Sequence, residues 1–348
     1  MAPISNIPAT HSINVVLGDL ASGLPQGPGP TGVSLGDFPW GWISILAVLT
    51  LIYAWGIYKK RGVHSKVSFY LNDEVGLKDK AQLGKLSDYN VFQYLSGINE
   101  SRYNLFLDRH KKDSLEALEK TLLEYLTLRM EEEPSITGDI IERIQKDKDA
   151  IISDPMMDWL LTLEIKENHT VFDGSPWINA ETGEQEIYQG MFYSVIKEVI
   201  ERLDLGEEEV FYDLGSGYGR VPLYFGLTTR LKKIKGIELV GRRVEQSREA
   251  AKRLGLDQVE FIQANARVHD FSDGEIFFMF NPFTGESLRV VVDRLKELSR
   301  AKPIRIISFG LCNHYLIEQK DWLREVDRIK WKSKIYGKGV FFFECGPE

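Results

Sequence analysis

Residues 211–220 read Phe-Tyr-Asp-Leu-Gly-Ser-Gly-Tyr-Gly-Arg, an acid followed by three glycines at alternate positions, Gly215, Gly217 and Gly219. An apolar run precedes the acid and a helix-compatible run starts at Arg220, so the glycines turn a strand into a helix. Glycine there lets main-chain N–H groups come close to a ligand. The next expected strand ends in Glu238, the place from which a carboxylate can grip both hydroxyls of a ribose. Together these features point to a nucleoside-containing cofactor. A dinucleotide site uses Gly-x-Gly-x-x-Gly and lays its pyrophosphate on the helix N-terminus. Here the spacing is Gly-x-Gly-x-Gly, and Asp213 would repel a phosphate but suit a cation.

A second chemical signal is Asn281-Pro282-Phe283, directly after an apolar run over 275–280. Ligands of open α/β sheets bind at the carboxyl ends of strands, so this tripeptide should stand beside the glycine loop. An amine attacks only with a free lone pair. The Asn281 side-chain oxygen can accept its N–H hydrogens and aim that pair, and Phe283 can stack on a planar amine or face a developing cation.

The run 213–219 resembles motif I of the class I S-adenosylmethionine-dependent methyltransferases, Asp/Glu-x-Gly-x-Gly-x-Gly. Residues 281–283 resemble motif IV of the amino-directed members, Asp/Asn-Pro-Pro-Tyr/Phe, with one proline absent. The resemblance implies S-adenosylmethionine as cofactor, held by Asp213, Gly215, Ser216, Gly217 and Gly219, with its ribose on Glu238 and its adenine amino group near Asn265. It also implies methyl transfer to a nitrogen presented by Asn281 and Phe283. A partial likeness extends to the non-SET histone-lysine methyltransferases, which carry Asp-Leu-Gly-Ser-Gly, Gly-Ile-Glu and an upstream tyrosine-containing segment. The matching residues are 213–217, 236–238 and Tyr188-Gln189-Gly190, which adds Tyr188 to the cofactor set. Those enzymes have Asn-Asn-x-Phe where this chain has Asn-Pro-Phe. Two other classes stay open: a nicotinamide-dependent oxidoreductase on a Rossmann-like domain, and a non-catalytic scaffold of the same fold.

The elements that must position these residues alternate. Strands are expected at 210–214, 233–239, 259–263, 275–280 and 304–309, with a hairpin over 329–345. Helices are expected at 191–203, 220–231, 242–254, 288–298 and 315–326. Such alternation argues for a parallel sheet with helices on both faces. The resemblance implies a doubly wound seven-stranded α/β sheet with its last strand antiparallel, occupying 176–348. Leu115, Leu118, Leu122, Leu126 and Met130 recur at helical spacing. With helices expected at 140–152 and 156–165, residues 58–175 read as a helical linker or subdomain.

Residues 38–57 hold twenty residues without a charge, the length needed to cross a bilayer as a helix. Trp40 and Trp42 stand at one end, Tyr53, Trp55 and Tyr58 at the other, and Lys59, Lys60 and Arg61 follow. This pattern reads as a single-pass transmembrane helix with the catalytic domain in the cytoplasm. Residues 1–37, rich in Gly, Pro and Ser, then read as a flexible extracytoplasmic tail. The expected partners are a membrane and a protein or small amine substrate. A net charge of −8, from 51 acidic and 43 basic residues, argues against nucleic acid, whose binding rests on phosphate neutralisation. Arg220, Arg242 and Arg243 read as surface charges. Cys312 and Cys345 read as free thiols, and the six histidines lack ligand spacing, so no metal is expected.

Overall fold

A computed structural model describes residues 86–101, 109–165, 177–178, 185–186, 188–330 and 339–347. Four helices come first: α1 (Asp88–Ser101), α2 (Arg109–Glu132), α3 (Ile136–Lys146) and α4 (Asp154–Leu160). The short strands β1 (Trp177–Ile178) and β2 (Gln185–Glu186) pair with each other. The C-terminal half then runs α5 (Tyr193–Arg202), β3 (Val210–Leu214), α6 (Arg220–Thr228), β4 (Lys233–Glu238), α7 (Gly241–Arg253) and β5 (Val259–Gln263). It continues through β6 (Ile276–Phe280), α8 (Gly285–Ala301), β7 (Ile304–Phe309), α9 (Asn313–Leu316), β8 (Arg324–Lys330) and β9 (Gly339–Cys345).

The seven strands lie in the order β5-β4-β3-β6-β7-β9-β8. The last strand, β9, runs antiparallel to both of its neighbours, β7 and β8. From β3 the chain winds outward through β4 to β5, then crosses back to lay β6 on the other side of β3. The winding direction therefore reverses between β3 and β6, and their carboxyl ends flank the crevice where such sheets bind ligands.

Side chains alternate across the sheet, as strand geometry requires. Phe211, Ile276, Phe278 and Ile307 enter one core, with α5, α6 and α7. Tyr212, Phe277, Met279 and Ile306 enter the other, with Leu288, Val291, Val292 and Leu295 of α8. Each fully buried aliphatic or phenyl side chain contributes about 1.5–3 kcal/mol. The first core also receives the early helices. Val91, Phe92 and Leu95 of α1, Leu122 and Leu126 of α2, and Ile140, Ile141 and Ile144 of α3 are all buried in it.

Two expectations are corrected. No helix among the described residues is long and apolar enough to cross a membrane, so the transmembrane helix drops out of the fold class. The longest described helix, α2 with 24 residues, is interrupted by Glu116, Lys120, Glu124 and Arg129, charges that no apolar slab would accept. Residues 1–37 and 38–57 lie outside the described residues. The second correction concerns 315–326. The helix there ends at Leu316, and a strand begins at Arg324. As the outermost strand, β8 leaves most of its side chains in water and shows no apolar alternation. Its ladder with β9 and the buried Ile329 hold it in place; on its surface Arg324 pairs with Glu344, and the Arg328 guanidinium lies 4.0 Å from the Phe341 ring centre. Charged edge strands also resist pairing with other chains.

Candidate active site

The glycine loop leaves the end of β3 and is closed on itself. The Gly215 and Ser216 N–H groups both donate to the Ile237 carbonyl, at 2.8 and 2.9 Å, and the Gly219 N–H donates to the Ser216 carbonyl at 2.8 Å. All three glycines have positive φ, and Gly219 caps α6. Two of them also admit a neighbour that a side chain would exclude. A Cβ on Gly215 would sit 2.5 Å from the Pro282 Cβ, and one on Gly217 would sit 2.7 Å from the Tyr188 ring. The loop is thus wedged between Pro282, of the 281–283 tripeptide, and Tyr188, of the upstream segment.

Glu238 ends β4 with its carboxylate buried and fixed. Oε2 accepts the Gly217 N–H at 2.9 Å, Oε1 accepts the Val240 N–H at 2.8 Å, and the Arg243 guanidinium lies 3.6 Å away. A carboxylate has about four lone-pair sites, so the oxygens keep capacity for two further donors. Asp213 differs. It is 3% exposed, and its carboxyl meets no hydrogen-bond or ion-pair partner among the described residues. Burial, and then the Glu238 charge, push its pKa well above the usual carboxylate range. The Ser216 hydroxyl is likewise buried without a partner.

Tyr188 is buried with its ring nearly perpendicular to that of Tyr218, their centres 4.9 Å apart, and the Arg243 guanidinium lies 5.5 Å from the Tyr188 ring centre. Burial raises the Tyr188 pKa. Arg243 is therefore buried, at 3% exposure, rather than a solvated surface charge. Arg220 is corrected in the same way. It is 4% exposed and forks onto both Asp158 oxygens, while Nη1 donates to the Met191 carbonyl at 3.0 Å. Sequence spacing could not show that Asp158, 62 positions upstream, would be its partner.

Asn281 has a positive φ of 46°, a strained setting for a residue with a side chain that asparagine tolerates better than most. Its Oδ1 accepts the Leu311 N–H, and its Nδ2 donates to Gln189 Oε1 at 2.8 Å. The backbone donor fixes which end of the amide is oxygen. The oxygen expected to receive a substrate N–H thus already has one donor, and Asn281 ties together the ends of β6 and β7 and the 188–189 segment. Phe283 is half-buried beside it. Asn265 follows β5, and its Oδ1 accepts the Arg267 N–H at 3.0 Å, shaping its own turn.

One cleft brings Tyr188, Asp213, Gly215, Ser216, Gly217, Glu238, Asn265, Asn281 and Phe283 together. Gly219 is not on its wall; it lies behind the loop, where a Cβ would meet the Phe261 ring. Gln189, Arg220, Arg243, Pro282 and Phe280 line the cleft too. Of these, Pro282 and Gln189 were legible as neighbours of named residues, and the two arginines only through their buried partners.

The donor set fits a cationic nucleoside. Four loop N–H groups, those of Gly215, Ser216, Gly217 and Gly219, are spent on protein acceptors, so these four offer no anion-binding nest for a pyrophosphate. A buried carboxyl without a partner gains from a positive ligand, and Glu238 has acceptor sites left for hydroxyls.

Residues 176–280 match the family described as Histone methylation protein DOT1. Among solved structures, the chain is similar to an RNA methyltransferase from Salinibacter ruber in complex with S-adenosyl-L-homocysteine. The identity is 21%, over 46% of this chain and 95% of that one, with a TM-score of 0.37. It is also similar to a precorrin-6y C5,15-methyltransferase from Geobacter metallireducens, at 16% identity over 44% and 88% with a TM-score of 0.32. A SAM-dependent methyltransferase from Aquifex aeolicus gives 18% over 43% and 88%, with a TM-score of 0.33. TM-scores this low leave these likenesses too loose to argue from. The family match, the motif and the sheet order agree with one another: the domain is that of an S-adenosylmethionine-dependent methyltransferase.

Proposed function

We propose that this protein moves a methyl group from S-adenosylmethionine to an amine nitrogen of a protein substrate. The observation that carries the reading is the buried Asp213 carboxyl, without a partner among the described residues, in the same cleft as the clamped Glu238. The cofactor supplies, when bound, a methyl group already activated by a sulfonium. Glu238, held by two backbone N–H groups, would take the ribose hydroxyls without having to reorient. Asp213 would face the positive part of the ligand, and Tyr188 and Pro282 would close the two sides. Asn265 would stand at the adenine end.

The acceptor side supports nitrogen as the nucleophile. Among the described residues, the carboxylates on the cleft wall are Asp213 and Glu238, both on the cofactor side. Among the described residues no base on the acceptor side is placed to strip a hydroxyl as it attacks, whereas a lysine ammonium would give its proton to water first and then attack as the neutral amine. Alignment and a dry, aromatic wall are what the chain can contribute. Phe278, Phe280 and Phe283 supply that wall, and Asn281 fixes the loop that frames it. The histone-methylation description of the matching family supports a protein lysine as acceptor.

The test is to incubate the full chain with methyl-labelled cofactor and a mixture of basic proteins, then hydrolyse the products in acid. Label in methylated lysine is the expected result. Label released by mild base as methanol, or found only in lipid, would overturn nitrogen transfer to protein.

A further inference from the structure

We infer that Asp158 is a positioning residue for the cofactor cleft: a buried ion pair from the helical region holds the cleft's Tyr188 wall in place. Asp158 sits on α4, outside the segment that carries the motifs. The Arg220 guanidinium grips both its oxygens through Nε, at 2.8 Å, and Nη2. The same guanidinium donates through Nη1 to the Met191 carbonyl and lies 5.2 Å from the Tyr193 ring centre. The Tyr193 hydroxyl donates to Asp158 Oδ1 at 2.9 Å, and the Tyr193 N–H donates to Asp154 Oδ1 at 3.0 Å. Two carboxylates of α4 and one arginine thus pin residues 191–193. Tyr188 stands just before them, and its ring touches the space over Gly217. Arg220 is also the first residue of the helix that leaves the glycine loop. The ion pair therefore joins the loop and the wall that faces it, through a helix foreign to both.

Stability alone is a poor account of this arrangement. A buried ion pair is often no more stabilising than apolar groups of the same volume, and apolar contacts already pack α1–α4 onto this core. What the fork adds is direction, because a guanidinium binds a carboxylate in one planar geometry. Burial opposes both charges: it raises the Asp158 pKa even beside Arg220, while on Arg220 the opposing effect of Tyr188 and Asp158 is the larger.

The inference rests on the cofactor reading above, so binding of S-adenosylhomocysteine to the unaltered chain is measured first, by calorimetry. If the unaltered chain does not bind it, the cofactor reading fails. If it binds, Asp158→Asn is expected to weaken binding at least 10-fold and to raise KM for the cofactor, with kcat at saturation lowered less than 3-fold. Ile141→Ala, a core truncation on α3 away from the pair, is the control for lost stability; its affinity should stay within 2-fold. Arg220→Lys keeps the charge and removes the fork; at least a 5-fold weakening is expected even if Asp158→Asn does not fold. Affinity within 2-fold of the unaltered chain in either pair variant overturns the inference. So does an equal weakening in Ile141→Ala.

Discussion

Replacing Glu238 by glutamine changes one oxygen to an NH2 group at a place where both oxygens are already acceptors. The Gly217 N–H reaches one at 2.9 Å and the Val240 N–H the other at 2.8 Å. Whichever way the amide turns, one backbone N–H faces another donor in a site that is 6% exposed. Leaving a buried donor unsatisfied costs about 1–3 kcal/mol. The Arg243 guanidinium at 3.6 Å loses its counter-charge as well. For the ligand, hydrogen bonds from ribose hydroxyls to a charged acceptor contribute about 1.5–3 kcal/mol, so their loss predicts roughly a 10- to 150-fold weaker affinity. Calorimetric titration with S-adenosylhomocysteine reads the second quantity and urea unfolding the first. Affinity within 3-fold of the unaltered chain would refute the ribose role. A normal affinity with reduced stability would make Glu238 a strut of the glycine loop and nothing more.

Asp213→Asn should act in opposite directions on stability and binding. The native pKa of Asp213 is raised, so the folded chain holds this proton above the pH, about 4, at which the unfolded carboxyl releases it. Asp213 therefore lowers stability progressively as pH rises from about 4 through its native value. The amide should remove that slope and raise stability at neutral pH while weakening the cofactor; urea melts between pH 4 and 8 that show the same stability difference at every pH would contradict it. Gly215→Ala combines a φ of 86° with a Cβ 2.5 Å from Pro282. The left-handed backbone alone costs about 1–2 kcal/mol, and displaced Pro282 should also lower kcat; an unchanged melting temperature would show that the loop relaxes freely. Asn281→Ala cuts the ties to Leu311 and Gln189. It should leave S-adenosylhomocysteine affinity within 3-fold and lower kcat by up to about 100-fold; an unchanged kcat would remove Asn281 from the acceptor side.

Much of the catalytic half was legible because its signals are local. Glycines at alternate positions, the acid ending β4 and the apolar runs of β3, β5, β6 and β7 each state their structure within a few residues. The cleft then follows from topology, since β3 and β6 end side by side. What was not legible depends on distant partners. Arg220 and Arg243 have the composition of surface residues, and carboxylates distant in sequence, Asp158 and Glu238, offset the cost of burying them. β8 carries no apolar period because it lies at the sheet edge, so a helix was expected where a turn and a strand occur. The side-chain oxygen of Asn281 looked available for a substrate until the turn after β7 brought the Leu311 N–H to it. The apolar run over 38–57 gave the strongest local signal for a membrane, and the described helices contain no such span.

The most direct measurement is a calorimetric titration of the full chain with S-adenosylhomocysteine and, separately, with NADH. One equivalent of S-adenosylhomocysteine bound and no heat from NADH is the outcome that the closed glycine loop and the buried Asp213 predict. A folded chain that binds NADH, or that leaves S-adenosylhomocysteine free, would contradict the account.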